Sequence, residues 1–111
     1  MIVNVESIVE VDLSPFYLQT LEHSGRTFTF TKPLVLIPDL DETKQLYCLE
    51  YPTLGIDVYA YTRDQLELEL WEQIAFLWDN YALDNDAELT EAALHLKKNL
   101  LDNLKEITDA A

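Results

Sequence analysis

Carboxylate side chains are the residues of this 111-residue chain whose types and spacing could hold a metal ion. One group lies in the polar segment that contains Asp39, Asp41 and Glu42, and Asp57 follows in a strand-like segment. Together they could form the carboxylate cluster of a two-metal phosphodiesterase. Their spacing does not require this arrangement, since acidic residues are ordinary in hairpin loops. A metal-dependent hydrolase or nuclease that uses Asp39, Asp41 and Asp57 is therefore one alternative function.

A second acidic group follows the first predicted helix. It comprises Asp79, Asp84, Asp86 and Glu88. Alternate acidic positions suit a calcium loop, but that loop needs a glycine where this chain has Leu89 and a bidentate glutamate where it has His95. We interpret the segment as a solvated loop between two helices, without a metal.

No other residue type forms a catalytic motif. His23 and His95 do not accompany a nucleophile, and the chain has no Gly-x-Ser-x-Gly elbow. Cys48 is the single cysteine, and only Lys44 is a basic neighbour, so we interpret it as a small strand residue. The sequence predicts a non-enzymatic protein with no catalytic residue, no metal ligand and no cofactor.

Net charge restricts the class of partner. Twenty-one acidic and seven basic residues give a formal charge of -14, which repels phosphate backbones. Direct nucleic-acid binding is therefore not expected. The charge can serve solubility alone, or it can form a docking face for a basic partner.

The chain divides into two halves with different periodicity. Residues 5–61 are rich in Val, Ile, Thr, Tyr and Phe, whereas the predicted helices at 63–81 and 91–107 are rich in Leu, Glu and Ala. This order predicts a single α+β domain over 1–111, with an antiparallel sheet of four or five strands and two C-terminal helices packed on one face. The opening residues lack a charged leader and a long apolar run, so we expect a cytoplasmic location without a membrane span.

Turn residues and alternation define the strands. The candidates are Ile8 to Val11, Phe16 to Leu21, Thr27 to Thr31, Leu34 to Ile37, Leu46 to Tyr51 and Ile56 to Tyr61. Phe28 and Phe30 alternate with threonines, which predicts one core face and one solvent face. Pro33 predicts a bulge or an edge, because proline cannot donate to a ladder.

Capping residues and apolar stripes define the helices. Thr62 with Gln65 predicts a capping box at the start of the first helix, and Thr90 is a second cap. The first stripe contains Leu66, Leu70, Ile74, Leu77 and Tyr81, with Trp71, Ala75 and Trp78 beside it. The second stripe contains Ala93, Leu96, Leu100, Leu104 and Ile107.

The segment from Tyr51 to Leu66, with the helix that follows it to Trp78, resembles the core of the HicB-like antitoxin family. The shared features are a strand, the Pro-x-x-Gly turn at Pro52 to Gly55, a short strand and the threonine-capped helix. With the β-β-β-α order, the resemblance covers about residues 27–78. It implies a partial RNase H-like fold.

That resemblance also implies a class of partner. Many members of the family neutralise a basic RNA-cleaving toxin, and a separate C-terminal module binds DNA. This chain has Asp39 to Lys44 where the family has an acidic-Gly-Gly hairpin. Its C-terminal part is predicted to be one Leu-rich helix without an evident helix-turn-helix or ribbon-helix-helix motif, so the resemblance does not imply operator binding here.

We therefore predict an acidic protein-binding module, antitoxin-like in its choice of a basic protein partner. The predicted partner-binding residues are Asp57, Tyr59, Asp64, Glu67, Glu69, Trp71 and Glu72. The acids would steer the partner, and an aromatic patch around Tyr59 and Trp71 would then be buried. Besides the metal-dependent hydrolase, a homo-oligomeric structural protein, for example a homodimer, is the remaining alternative.

Overall fold

The computed structural model describes residues 11–107 and has an α+β fold, as predicted. The strands are β1 (Phe16–His23), β2 (Arg26–Leu36), β3 (Asp39–Leu40), β4 (Tyr47–Tyr51), β5 (Ile56–Ala60) and β6 (Leu104–Ile107). The helices are α1 (Arg63–Leu77) and α2 (Glu91–Asn103), with 3-10 turns at Pro52–Leu54 and Asp86–Glu88 and a π-helical turn at Trp78–Ala82. No helix in this part of the chain is long and apolar enough to cross a bilayer.

The strands form two antiparallel sheets of three strands, where the sequence predicted one sheet of four or five. The first sheet has the order β1-β2-β6 and the second has the order β3-β4-β5. The chain leaves the first sheet after Leu36 and enters the second at Asp39. Pro38, which is buried between them, cannot donate a ladder hydrogen bond, and this favours the break.

The first sheet is built on the β1–β2 hairpin. Ser24 and Gly25 form its turn, both with positive φ angles of 52° and 77°, as a type I′ hairpin requires. Phe28 and Phe30 are buried, which confirms the predicted alternation. The register slips between Leu18 and Thr20, which pair with Leu34 and Thr29, so the ladder is irregular around Pro33, where the sequence predicted a bulge or an edge. The predicted strand at Ile8 to Val11 lies mostly outside the described residues, and residues 11–15 form no strand.

The second sheet is a three-stranded meander. Gly55, with a φ of 72°, closes the turn between β4 and β5 and donates its N–H to the Pro52 carbonyl at 3.0 Å. Alternate residues of β5 are buried (Ile56, Val58 and Ala60), while Asp57 and Tyr59 are exposed. This sheet therefore has one core face and one face open to solvent.

Helix α1 begins at the predicted cap. The Thr62 hydroxyl oxygen accepts a hydrogen bond from the Gln65 N–H at 3.1 Å. The Gln65 side chain donates to Glu69 at 3.1 Å instead of returning to Thr62, so only half of the capping box forms. The predicted stripe from Leu66 to Leu77 is buried, and the helical path continues as the π-helical turn to Ala82.

The predicted end of the second helix at residue 107 is wrong. Helix α2 ends at Asn103, and residues 104–107 form β6, which pairs with β2 from Thr27 to Phe30. Leu104 is buried and Lys105 is exposed, so strand alternation places the leucine in the core as well as helical spacing would. Residues 104–107 form a strand because they can pair with the edge of β2 that β1 leaves free. This contact between distant parts of the chain outweighs the local preference for a helix.

An arginine joins three separate elements at the end of the first sheet. The Arg26 guanidinium donates to both Asp79 carboxylate oxygens, at 2.7 and 2.8 Å, and to both Glu106 oxygens, at 2.9 and 3.0 Å. Its Cζ lies 5.1 Å from the centre of the Phe28 ring. Hydrogen bonding to Arg26 lowers the pKa of Asp79 below its ordinary value.

We expect Arg26→Met to lower the free energy of unfolding at pH 7 by about 1 kcal/mol, because it removes two partly exposed ion pairs. The pKa of Asp79 is lower in the folded state, so its contribution is present above about pH 4. That contribution is lost as the pH falls through the lowered pKa. Urea titrations at pH 7 and pH 3 should show a smaller difference between variant and wild type at pH 3.

Lys32→Met is the matched control, since Lys32 is exposed on the same strand. A difference between Arg26→Met and wild type that does not shrink in acid would contradict this assignment of the Arg26 network.

Candidate functional site

A groove of about 480 Å³ lies between β5 and α1, and four of the seven predicted partner-binding residues line it. We call it the β5–α1 groove. Its lining consists of Asp57, Val58, Tyr59, Glu69, Glu72, Gln73 and Phe76. The strand contributes the first three residues and the helix the other four. The antiparallel meander and the capped helix are thus the elements that position it.

The other three predicted residues lie elsewhere. Each helical residue turns the chain by about 100°, so Glu67 and Trp71 share a flank of α1 roughly opposite to Glu69. Trp71 is half-buried against the core and Glu67 is exposed. Asp64 lines a different cleft, of about 470 Å³, beside Arg63 at the start of α1.

Two large aromatic side chains stand exposed at the groove. Tyr59 is 49% exposed and Phe76 is 57% exposed, and the two line the same groove. Phe76 was not among the predicted residues. Its signal in the sequence is its place outside the stripe that includes Leu70 and Ile74, because a large apolar residue off the buried stripe of a helix must face solvent or a partner.

The solvent face of the second sheet extends the acidic surface beyond the groove. The exposed and half-exposed positions of this face are Asp39, Cys48, Glu50, Asp57 and Tyr59. Asp39 pairs with Cys48, which in turn pairs with Tyr59. Glu50 and Asp57 are direct cross-strand partners. The acidic surface is therefore continuous from the sheet to the helix.

The surroundings of this face raise the pKa values of Tyr59 and Cys48. A hydrogen bond to Asp57, followed by the negative charges of Asp57 and Glu50, raises the pKa of Tyr59. The Tyr59 hydroxyl also lies 3.4 Å from a Glu50 carboxylate oxygen, to which it donates. Burial, with the nearby carboxylates, raises the pKa of Cys48. A raised pKa disfavours the thiolate, so the interpretation of Cys48 as an unreactive strand residue is consistent with its surroundings.

The acids of the groove have no basic partner among residues 11–107. Arg26, Arg63, Lys97 and Lys98 form the ion pairs found among residues 11–107, and all of these pairs lie away from the groove. Among the described residues, the one side-chain hydrogen bond that the Glu69 carboxylate accepts comes from the neutral side-chain amide of Gln65. The negative charge of the groove is therefore uncompensated within the described part of the chain.

The Glu50–Asp57 pair opposes folding. Like charges directly opposite each other on an antiparallel pair are destabilising. We expect Glu50→Gln to raise the free energy of unfolding by about 0.2–1 kcal/mol, measured by urea titration. Glu22→Gln is the control, because Glu22 faces Thr27 across its hairpin and has no opposing charge. Equal effects of the two substitutions would contradict the proposed repulsion.

Asp41, one of the three carboxylates of the hydrolase alternative, is engaged in loop structure. Asp41 accepts hydrogen bonds from the N–H groups of Gln45 and Leu46, both at 3.0 Å, and from the Thr43 hydroxyl at 2.7 Å. The backbone bond from Leu46 is the largest cause that lowers the pKa of Asp41. No group of three or more Asp, Glu, His or Cys side chains in the described residues is arranged to hold a metal ion. These contacts account for Asp41 as a residue that closes the β3–β4 loop.

Comparison with known proteins finds no matching family model, curated protein or solved structure. The resemblance to the HicB-like family therefore stays a prediction. The β3-β4-β5-α1 order is a fold-level feature, and a fold by itself does not identify a function. Evidence for a function therefore comes from the residues of the β5–α1 groove.

Proposed function

We propose that this chain is a non-enzymatic protein-binding module that docks a basic protein partner in the β5–α1 groove. One observation supports this proposal above the others: carboxylates that form no ion pair with the described residues surround two exposed aromatic side chains. Asp57, Glu69 and Glu72 provide the charge, and Tyr59 and Phe76 provide the apolar contact area. Protein interfaces use the same combination of buried aromatic anchors and a charged rim.

Binding would proceed in two stages. A formal charge of -14 attracts a basic partner over distances limited by the Debye length of about 8 Å at physiological salt. The groove carboxylates have no ion pair among residues 11–107, so no such pair has to break before they receive lysine or arginine side chains. Contact with Tyr59 and Phe76 excludes water and slows dissociation.

The destabilising charge pair beside the groove is consistent with a binding role. Glu50 and Asp57 lie opposite each other although a neutral or basic residue at either position would favour folding. Proteins commonly keep such local conflicts where a site requires them. A cationic side chain of the partner between these two carboxylates would relieve the repulsion.

The resemblance stated above supplies a narrower version of this proposal. An antitoxin-like member of the HicB-like family would present the groove to a basic RNA-cleaving toxin. This version concerns the neutralisation of a toxin by the β5–α1 groove.

The homo-oligomeric alternative would use a different surface. Tyr17 and Val35 are cross-strand partners on β1 and β2, and both are exposed, as is Ile37 beyond the end of β2. Such an apolar patch pairs more readily with an apolar surface than with a basic one. Light scattering separates the two functions, because neutralising the groove should leave any self-association unchanged.

A comparison of three baits tests the proposed function. The baits are the wild type, a groove-neutralised variant (Asp57→Asn, Glu69→Gln and Glu72→Gln) and a matched control variant (Asp64→Asn, Glu67→Gln and Glu88→Gln). Both variants lose three negative charges, but only the first loses them in the groove. We expect one basic protein to be retained from the native cytoplasm by the wild type and the control variant, and to be lost from the groove-neutralised variant. Equal retention by all three baits would contradict the proposal.

A further inference from the structure

Among residues 11–107, a side chain covers the outer edge of β5 by hydrogen bonds at one position. Strand β5 lies at the edge of the second sheet. The Asp57 N–H donates to the Gln73 side-chain oxygen at 2.7 Å, and the Gln73 side-chain NH₂ donates to the Asp57 carbonyl at 3.4 Å. The Gln73 amide thus occupies both backbone groups of Asp57 in the way that the peptide group of a neighbouring strand would.

The next outward-facing position of the same edge is Tyr59. In an antiparallel ladder, the N–H and C=O of alternate residues point to the same side of the strand. The N–H and C=O of Asp57 point to Gln73 and away from β4, so the N–H and C=O of Tyr59 also point away from β4. Among the described residues, no side chain or loop backbone forms a hydrogen bond with them. An unpaired strand edge of this kind is a template for pairing with another chain.

Charge identifies which kind of chain fits this edge. The edge forms one side of the β5–α1 groove, and Glu69 and Glu72 of α1 form the other. No cation of the described residues neutralises these carboxylates. An acidic segment, including a second copy of this edge with its own Asp57, would meet like charge. A segment with lysine or arginine side chains would meet opposite charge.

We infer that the basic partner binds through an extended segment that adds a strand to the outer edge of β5, pairing with the backbone of Tyr59. This inference rests on the proposed function and specifies the mode of binding. Main-chain hydrogen bonds would contribute affinity, while Glu69 and Glu72 would select basic side chains. In the free protein, the Gln73 side-chain amide would occupy the backbone N–H and C=O of Asp57. The segment would displace this amide when it binds.

Three synthetic peptides test the mode of binding with the full chain. The parent peptide is a seven-residue, N-acetylated and C-amidated alternation of lysine and valine. The second carries N-methyl groups on all its valines and the third on all its lysines. Since the N–H groups of successive residues point to opposite edges, while those of alternate residues share one edge, each methylated peptide has one blocked edge and one free edge. The charge and the side chains are the same in all three.

Binding is measured by titration of the ¹⁵N-labelled protein. We expect the parent peptide to shift and protect the Tyr59 amide, and one of the two methylated peptides to bind at least about tenfold more weakly than the other. The peptide whose free edge can still pair controls for the effect of methylation on the peptide itself. Equal binding of all three peptides would overturn the inference.

The groove-neutralised variant distinguishes this failure from a failure of the proposed function. If the three peptides bind equally and all bind more weakly to that variant, the groove recognises charge without strand pairing, and only the inference is overturned. If the parent peptide binds the variant and the wild type equally, the proposed docking role of the groove acids is contradicted as well.

Discussion

Glu69→Lys combined with Glu72→Lys is expected to weaken binding of the basic partner by at least about 100-fold. Like-charge contacts across an interface cost several kcal/mol, and each 1.4 kcal/mol is about a tenfold change in affinity. Both residues line the groove, and no lysine or arginine of the described chain pairs with them. Calorimetry or surface plasmon resonance with the captured partner measures the change.

The matched control is Glu67→Lys combined with Glu88→Lys. It changes the net charge by the same amount, but Glu67 lies on the opposite flank of α1 and Glu88 lies in the 3-10 turn before α2. We expect the control to weaken binding by about threefold or less, because it changes only the long-range field. A control variant that binds as poorly as the groove variant would show that net charge, and not the groove, determines binding.

Leu70→Ala is expected to lower the free energy of unfolding by about 2–5 kcal/mol. Leu70 has no exposed surface and lies at the centre of the buried stripe of α1. The substitution removes apolar contacts and leaves a cavity that the surrounding side chains fill only in part. For a small domain this is a large share of a total that is typically 5–15 kcal/mol. Urea titration followed by circular dichroism measures the loss.

Leu68→Ala provides the control on the same helix. Leu68 is 40% exposed, so the same substitution should cost less than about 1 kcal/mol. Comparable losses at Leu70 and Leu68 would contradict the assigned orientation of α1. That orientation is also what places Glu69, Glu72 and Phe76 at the groove, so this pair of variants checks the scaffold of the site independently of any partner.

Local patterns in the sequence predict much of the fold. The alternation around Phe28 and Phe30 and the alternation in β5 identify buried faces, because the period of a strand is two. Thr62 predicts the start of α1, because its hydroxyl oxygen satisfies an N–H group that the helix itself cannot satisfy. These features depend on neighbouring residues only, and the structure confirms them.

Features that depend on distant residues were not predictable in the same way. Residues 104–107 fit a helix by spacing, and they form β6 because the free edge of β2 lies within reach. The separation into two sheets likewise depends on where the chain goes after Pro38. Helical spacing and strand alternation both bury Leu104, so the sequence pattern cannot choose between them.

The candidate site also combines features that local sequence patterns predict with features that depend on distant residues. Helical geometry alone would have separated Glu67 and Trp71 from Glu69, since positions two apart lie on nearly opposite flanks. The packing of α1 against the second sheet determines which flank of the helix faces β5. The sequence pattern does not predict that packing. Phe76 was missed for this reason, although it lines the same groove as Glu69.

The salt dependence of the association rate tests the central claim most directly. Stopped-flow measurements between about 50 and 500 mM salt should show that the wild-type association rate constant falls by at least about tenfold, with a much smaller change in the dissociation rate constant. The groove-neutralised variant should start from a lower rate constant and lose much less of it. The same salt dependence for wild type and variant, or a salt effect confined to dissociation, would contradict the account of the groove as an electrostatic docking site.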